Sequence, residues 1–239
     1  MRGDVESVIS AFRSGKPVLV FDSAFREQET DLLFPAATVT PANMRTLRRD
    51  CGGLLFLAIG NEVGEGFGLP WLQDLHSHEH LVEEHPVLRH LITNDLQYDS
   101  RSAFTLSLNH RDTFTGITDR DRALTTRRFA ELWVELKESK ANSEICMKAL
   151  GKEFRTPGHI PVCRESPGGI TKRQGHTELA VAVARMAGLP PVVIGAEMLQ
   201  PHGDAALPVE EAIAYGKKNG IPFASGQDIL EAMENGGKE

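Results

Sequence analysis

One short stretch of the chain, residues 26–31, concentrates charged side chains that can bind a metal ion or a substrate. It reads REQETD and follows the apolar run PVLVF at residues 17–21, which predicts a short buried strand. In an extended chain, Glu27, Glu29 and Asp31 would point to the same side. Clustered carboxylates repel one another unless a cation lies among them. The stretch therefore predicts either a cation site or a solvated acidic loop.

Three further polar segments supply groups that suit an anionic substrate. Residues 113–122 place a glycine and several hydroxyls before a helical pattern, where they either cap the helix or bind phosphate. Residues 173–178, RQGHTE, open another helix with a guanidinium, an imidazole and a hydroxyl, a set that suits a phosphate group. His159 precedes a strand and Glu197 ends one; an ordinary loop histidine and a solvated glutamate are the simpler interpretations.

The residue types favour proton-transfer chemistry assisted by a metal ion. A glutamate, a histidine and two substrate oxygens form a plausible shell for Mg²⁺, and Mn²⁺ accepts the same ligands. The chain has no P-loop, no GxSxG and no dinucleotide fingerprint, because Leu69 stands where the last glycine of the GEG segment would fall. What remains is proton abstraction next to a carbonyl group, which needs a placed base and a Lewis acid.

The composition indicates a soluble globular protein. The chain has 239 residues, 41% of them hydrophobic, and a net charge of −7, which counts against nucleic-acid binding. Its three cysteines form no CxxC pair, which predicts that the protein resides in a reducing cytoplasm. The sequence contains no apolar run of the kind expected for a signal peptide or a membrane span. Residues 76–90 are rich in histidine but lack HExxH, so a solvated helix or loop is the simpler interpretation.

Strand and helix patterns alternate along residues 1–239, which we interpret as one domain. They predict an α/β (α+β) layered sandwich in which a mixed β-sheet is covered by helices. Residues 60–68 are expected to form a loop, and residues 137–156 to be irregular or weakly helical. The predicted strands are 17–21, 54–59, 103–108, about 158–162 and 191–197. The predicted helices include 4–14, 41–51, 208–218 and 225–235. Two further helices are predicted, one beginning after Thr118 and one at Arg173.

Taken together, the motifs resemble those of the 3,4-dihydroxy-2-butanone-4-phosphate synthase family of riboflavin biosynthesis. The motifs in order are RExExD at 26–31, TxTGxTxxDR at 113–122, GH at 158–159, RxGHTE at 173–178, and Glu197. The resemblance covers nearly the whole chain and is strongest to archaeal, monofunctional members. It implies an Mg²⁺- or Mn²⁺-dependent lyase that converts ribulose 5-phosphate to dihydroxybutanone phosphate and formate. It also implies a homodimer with pockets near the subunit interface.

The resemblance also implies a role for individual residues. The implied metal ligands are Glu27 and His176. The implied substrate-binding residues are Arg26, Glu27, Asp31, Thr115, Arg173, Gln174, Gly175, His176, Thr177 and Glu197. The implied catalytic residues are His159, Glu197, Glu29 and Asp121, with Cys51 and Tyr98 as further pocket members.

Two other functions fit the same residues. Another metal-dependent sugar-phosphate enzyme, an isomerase or an aldolase, would use the same ligands and the same proton abstraction. A non-catalytic module that binds a phosphate ligand would use the helix N-terminus and the arginines alone.

Overall fold

A seven-stranded mixed sheet lies between two layers of helices. The computed structural model describes residues 3–93, 95–97 and 99–236. The strand order is β4-β5-β3-β6-β2-β1-β7, and only the β3–β5 and β1–β7 pairs are parallel within these residues. The strands are β1 Val18–Phe21, β2 Thr30–Pro35, β3 Phe56–Ile59, β4 Phe104–His110, β5 Phe154–Arg164, β6 Val192–Glu197 and β7 Phe223–Ser225.

Ten α-helices accompany these strands in the described ranges. Two of them, α4 and α5, lie in the histidine-rich region, whose five histidines are all exposed, as expected for a solvated segment. The helices are α1 Val5–Arg13, α2 Pro41–Asp50, α3 Asn61–Gly66, α4 Leu72–His76, α5 Glu79–Glu84, α6 Asp119–Glu138, α7 Ser143–Glu153, α8 His176–Met186, α9 Val209–Asn219 and α10 Gly226–Gly236.

The alternation of side chains along the strands builds two hydrophobic cores, one on each face of the sheet. Val18 and Val20 of β1 pack with α1, α8 and α10, whereas Leu19 packs with the layer that contains α2 and α6. Helices cover both faces, so consecutive residues of a central strand are buried, as residues 192–196 of β6 illustrate. The prediction of a mixed sheet covered by helices is confirmed.

Local capping explains why several predicted helices begin where the sequence places them. The Asp4 carboxylate accepts the Ser7 backbone N–H, and Thr118 accepts that of Asp121. Thr40 and Asn43 form a reciprocal capping box at α2. None of the helices within the described ranges has the length and hydropathy that a membrane span requires.

Two segments fold differently from their prediction. Residues 60–68, predicted as a loop, contain α3, whose Val63 is buried. Residues 137–156, predicted to be irregular or weakly helical, contain the regular helix α7, which starts after the Asn142 cap and buries Cys146 and Leu150. These two apolar positions are four residues apart and therefore share one helix face. The polar composition of α7 hides this narrow stripe.

Candidate active site

A tight turn between β1 and β2 presents the first group of charged residues. The Asp22 carboxylate, buried directly after β1, accepts the backbone N–H groups of Glu27 at 2.8 Å and Glu29 at 3.1 Å. Gln28 has a φ of +58°, the left-handed region. Residues 26–29 therefore form a turn, so the alternation of three acids that an extended chain would produce does not apply here. Asp22 folds residues 26–29 back on themselves, and the strand begins only at Thr30.

Asp31 and Glu197 meet across neighbouring strands beneath this turn. They are paired residues in the antiparallel β2–β6 register, and Asp31 is only 1% exposed. A Cβ atom at Gly53 would lie 2.4 Å from Glu197 Oε2, so glycine is required where this side chain passes. Burial, and then the negative charge of Asp31, raise the pKa of Glu197 to about 7. Burial also raises the pKa of Glu29.

His176, the first residue of α8, lies among the carboxylates. Its Nδ1 is 2.9 Å from Asp31 Oδ2, and its Nε2 is 3.6 Å from Glu27 Oε2 and 3.9 Å from Asp22 Oδ2. Burial lowers the pKa of the imidazole, but the negative charges of Asp31, Asp22 and Glu27 outweigh burial and raise the pKa to about 10. Excess negative charge thus surrounds the ring. We call Asp22, Glu27, Glu29, Asp31, His176 and Glu197 the acidic group.

The acidic group fits a divalent cation. Glu27, Glu29 and His176 each offer one ligand atom, and these atoms lie within 4.8 Å of one another. Asp31 Oδ1 and His176 Nε2 are buried and make no hydrogen bond to the described residues, whereas Asp31 Oδ2 and His176 Nδ1 lie 2.9 Å apart and pair with each other. Buried polar atoms without partners are costly, and a cation would satisfy them. The donor set of carboxylate oxygens and one imidazole suits Mg²⁺ or Mn²⁺.

Two guanidinium groups converge beside the acidic group. Asp99 Oδ2 lies 3.2 Å from Arg26 Nη2 and 2.7 Å from Arg173 Nη2. Arg173 also pairs with Glu178, a fully buried carboxylate that accepts the Ser166 backbone N–H at 2.9 Å. Pairing with these carboxylates more than offsets the effect of burial and raises the pKa of Arg173.

The start of α8 differs from the prediction in one respect. The helix begins at His176, with Gly175 as its N-cap, so Arg173 and the exposed Gln174 precede it. The Arg173 guanidinium folds over Gly175, where a Cβ atom would lie 2.2 Å from Nη1. A residue larger than glycine at position 175 would therefore displace the guanidinium. Thr177 is buried in the first turn of the helix.

A cavity of about 200 Å³ opens between these elements. Its walls include Glu27, His176, Thr177 and Glu197 together with Asp99 and Arg173. Phe56 and Cys163 supply an apolar side, and burial raises the pKa of the Cys163 thiol to about 12. The cavity thus joins carboxylates, an imidazole and a guanidinium, the groups expected around a small anionic substrate.

The remaining predicted residues form a second group, at the β4–β5 edge of the sheet. Leu108 pairs with Ile160 but Asn109 pairs with Arg155, so residues 156–159 bulge out of β5 and carry the exposed His159. The Asp121 carboxylate accepts the backbone N–H groups of Thr115 at 3.3 Å and Gly116 at 2.8 Å. We call Asn109, Thr115, Asp121 and His159 the His159 group.

One chain does not bring the two groups together. Cys163, which lines the cavity, lies four residues from His159 along β5, a separation of about 13 Å in an extended strand. None of the members of the His159 group lines the cavity as far as the chain is described. Asp121 holds the 115–116 loop in place, and its predicted catalytic role stays a prediction.

Comparison with known proteins identifies the family. The family model for 3,4-dihydroxy-2-butanone 4-phosphate synthase matches residues 6–232. The chain belongs to this synthase family. The synthase of Archaeoglobus fulgidus is 43% identical over 229 residues, which cover 95% of this chain and 93% of that one. The predicted family, its archaeal character and its assignment as a lyase are thereby confirmed.

Solved structures of synthases share the fold. A crystal structure of the Candida albicans synthase covers 98% of both chains with a TM-score of 0.72 and 27% identity. A synthase crystallised with two magnesium ions covers 97% of this chain and 96% of its own, with a TM-score of 0.73 and 26% identity. The layered sheet of this chain is therefore that of the synthase family.

The structure adds residues that the synthase motifs did not single out. Asp22 belongs to the acidic group and Asn109 to the His159 group, while Asp99 and Cys163 line the cavity. Asp22 carried a signal, because it is an acid directly after an apolar strand; Asp99 and Asn109 carried none. Cys51 is buried in the core and does not line the cavity, and Tyr98 lies outside the described residues.

Proposed function

We propose that this chain converts D-ribulose 5-phosphate to L-3,4-dihydroxy-2-butanone 4-phosphate and formate in riboflavin biosynthesis, with Mg²⁺ or Mn²⁺ as cofactor. The observation that carries the proposal is the convergence of Glu27, Glu29 and His176 beside a cavity that also contains a guanidinium. Membership in the synthase family supports the choice of substrate. We further propose that the reaction takes place in the cytoplasm.

Glu27 and His176 would hold the metal, with Glu29 as a third possible ligand. When bound, a divalent cation withdraws electron density from the substrate's oxygens and makes the adjacent C–H more acidic. His176 must be neutral to ligate, so binding would displace its proton. A relative's structure in complex with two magnesium ions supports the use of a divalent cation.

Glu197 is the best candidate in this cavity for moving a proton near neutral pH. Its pKa of about 7 lies close to the pH at which a general base works best. Asp31, one strand away, raises the affinity of Glu197 for a proton and therefore makes it a stronger base. The negative charge of Asp31 thus raises the pKa of both Glu197 and His176.

Arg26 and Arg173 would bind the phosphate group of the substrate. Asp99 already draws both guanidinium groups to one point, and a phosphate dianion is a stronger partner for two guanidinium groups than one carboxylate. Thr177 and the start of α8 follow Arg173 by four and three residues, and they add a hydroxyl and a helix N-terminus.

We propose that the active protein is a homodimer whose subunits complete each other's sites. The His159 group lies away from the cavity of its own chain, next to Phe114 and Ile117, whose side chains are 94% and 50% exposed. Large exposed apolar side chains beside a polar group are typical of an interface. If the cavity of a second copy docks against this surface, twofold symmetry places the His159 group of each subunit at the cavity of the other.

Formate release tests the function. The purified protein, incubated with Mg²⁺ and ribulose 5-phosphate, is expected to release one formate for each pentulose consumed. The same reaction after treatment with a chelator serves as the control and should yield none. Sugar interconversion without formate would point to an isomerase or aldolase, and absence of any turnover would point to a binding module.

Replacing His176 by alanine should weaken metal binding. We expect the Mg²⁺ concentration at half-maximal activity to rise at least about tenfold. This is the lower end of the loss of metal affinity seen when residues around a bound metal are replaced. Mn²⁺ binding measured by calorimetry should weaken in parallel. His80→Ala, whose side chain is 70% exposed on α5, is the matched control and should titrate like the unmodified protein. Unchanged titration curves for His176→Ala would remove this residue from the metal shell.

A further inference from the structure

Asn109 connects three parts of the His159 group. The residue is at the end of β4, and its side chain is buried, with 3% of the residue exposed. Its Oδ1 accepts the backbone N–H of His159 at 2.8 Å, and its Nδ2 donates to the carbonyl oxygen of Thr115 at 3.3 Å. The same Nδ2 lies 3.0 Å from Nδ1 of the His159 ring.

These contacts determine the orientation of the Asn109 amide. A backbone N–H can only donate, so the atom that faces the His159 N–H must be the amide oxygen. A carbonyl oxygen can only accept, so the atom that faces Thr115 must be the amide nitrogen. A flipped amide would place donor against donor at His159 and acceptor against acceptor at Thr115. Both neighbours therefore select the same orientation.

The orientation of the amide in turn determines the protonation of the His159 ring. The two hydrogens of Nδ2 point to Thr115 and to the ring, so Nδ1 of His159 must accept with its lone pair. In a neutral imidazole the single proton then resides on Nε2. Adding a proton to Nδ1 would place two donors face to face. Within the described residues Nε2 makes no hydrogen bond, and the ring is exposed.

The packing of both loops against Asn109 keeps it in place. A Cβ atom at Gly116 would lie 2.1 Å from Asn109 Nδ2, and Gly116 has a φ of +94°. A Cβ atom at Gly158 would lie 2.3 Å from the Asn109 backbone nitrogen. Glycine at these two positions lets the 115–116 loop and the bulge that carries His159 close on the amide from two sides.

We propose that Asn109 is a positioning residue that holds His159 as the neutral Nε2–H tautomer. The ring then offers the substrate an N–H donor rather than a lone pair. A neutral imidazole of this kind can stabilise negative charge that develops on a substrate oxygen, and it is poorly suited to abstract a proton at Nε2. This catalytic consequence depends on the function proposed above, whereas the tautomer itself does not.

The tautomer can be measured directly by NMR of protein labelled with ¹⁵N-histidine, at neutral pH. The chain has nine histidines, and the signals that disappear in His159→Gln identify the ring. We expect an unprotonated, hydrogen-bonded Nδ1 and a protonated Nε2. In Asn109→Asp, an acceptor replaces the Nδ2 donor, so the ring proton should move to Nδ1. Asn219→Asp, an exposed site on α9, makes the same change of charge and should leave the spectrum unaltered.

Activity gives the second readout. Asn109→Asp should lower kcat at least about tenfold, as expected when a positioned donor is lost, and change KM less. A protonated Nδ1 in the unmodified protein, or an identical His159 spectrum in Asn109→Asp, would overturn the proposal. The first measurement needs only His159→Gln, a change at an exposed residue, to assign the ring signals. If the expected tautomer is found but no formate is released by any form, the proposed function fails and the assignment of the tautomer stands.

Discussion

Replacing Glu27 by glutamine should abolish formate release without unfolding the protein. Glutamine preserves the size of the side chain but removes the negative charge that a divalent cation requires. Losing several kcal/mol of charge stabilisation corresponds to a decrease in kcat/KM of about a thousandfold or more. The side chain is 42% exposed, so the melting temperature should remain nearly constant.

Glu131→Gln is the matched control for this experiment. The Glu131 side chain on α6 is 41% exposed and pairs loosely with arginines at 3.5 Å, so the same substitution is made in a similar setting. It should retain full activity. A melting temperature that decreases sharply in Glu27→Gln alone would mean that Glu27 is a structural carboxylate, and an active Glu27→Gln would remove it from the metal shell.

Replacing Glu197 by glutamine should stabilise the metal-free protein at alkaline pH. Glu197 has a pKa of about 7 in the folded state, against a reference value of 4.5. The folded state therefore binds the proton more tightly than the unfolded state, and the free energy of unfolding falls as pH rises from 4.5 through 7. Each pKa unit is worth about 1.4 kcal/mol, so the loss at pH 8 is of the order of 3 kcal/mol. Glutamine has no charge to bury and escapes this loss.

Urea unfolding at a series of pH values, with chelator present, measures the effect. The advantage of Glu197→Gln over the unmodified protein should be small near pH 4.5 and grow until pH 8. Glu131→Gln should show no comparable trend. An advantage that does not depend on pH, or a variant less stable than the parent at pH 8, would contradict the burial of a charged Glu197. Activity should fall in the same variant because the proposed base is lost.

The two predictions separate two roles of negative charge in one site. The Glu27 side chain is 42% exposed, so water solvates its charge and its removal affects chemistry more than stability. Glu197 is half-buried next to Asp31, so its charge costs stability until a cation or a proton compensates it. A site that stores such a cost is well suited to bind a divalent cation tightly.

The sequence by itself determined the family, the layered fold and the residue types of the site. Apolar runs and caps are local signals, which is why β1, β6 and the starts of α1, α2 and α6 lie where predicted. Local signals underestimated α7, where the buried stripe is narrow, and they did not reveal that Asp22 folds residues 26–29 into a turn. That turn depends on a carboxylate several residues away, which periodicity cannot reveal.

Only the tertiary structure decided which of the predicted residues meet. Strand register places Asp31 opposite Glu197, and the packing of α8 on the sheet brings His176 to them. It also separates His159 from the cavity and gives Asn109 its role, since an amide shared by β4, β5 and a loop exists only after these segments pair. Contacts between residues distant in sequence arise from packing and pairing, and no local pattern of side chains encodes them.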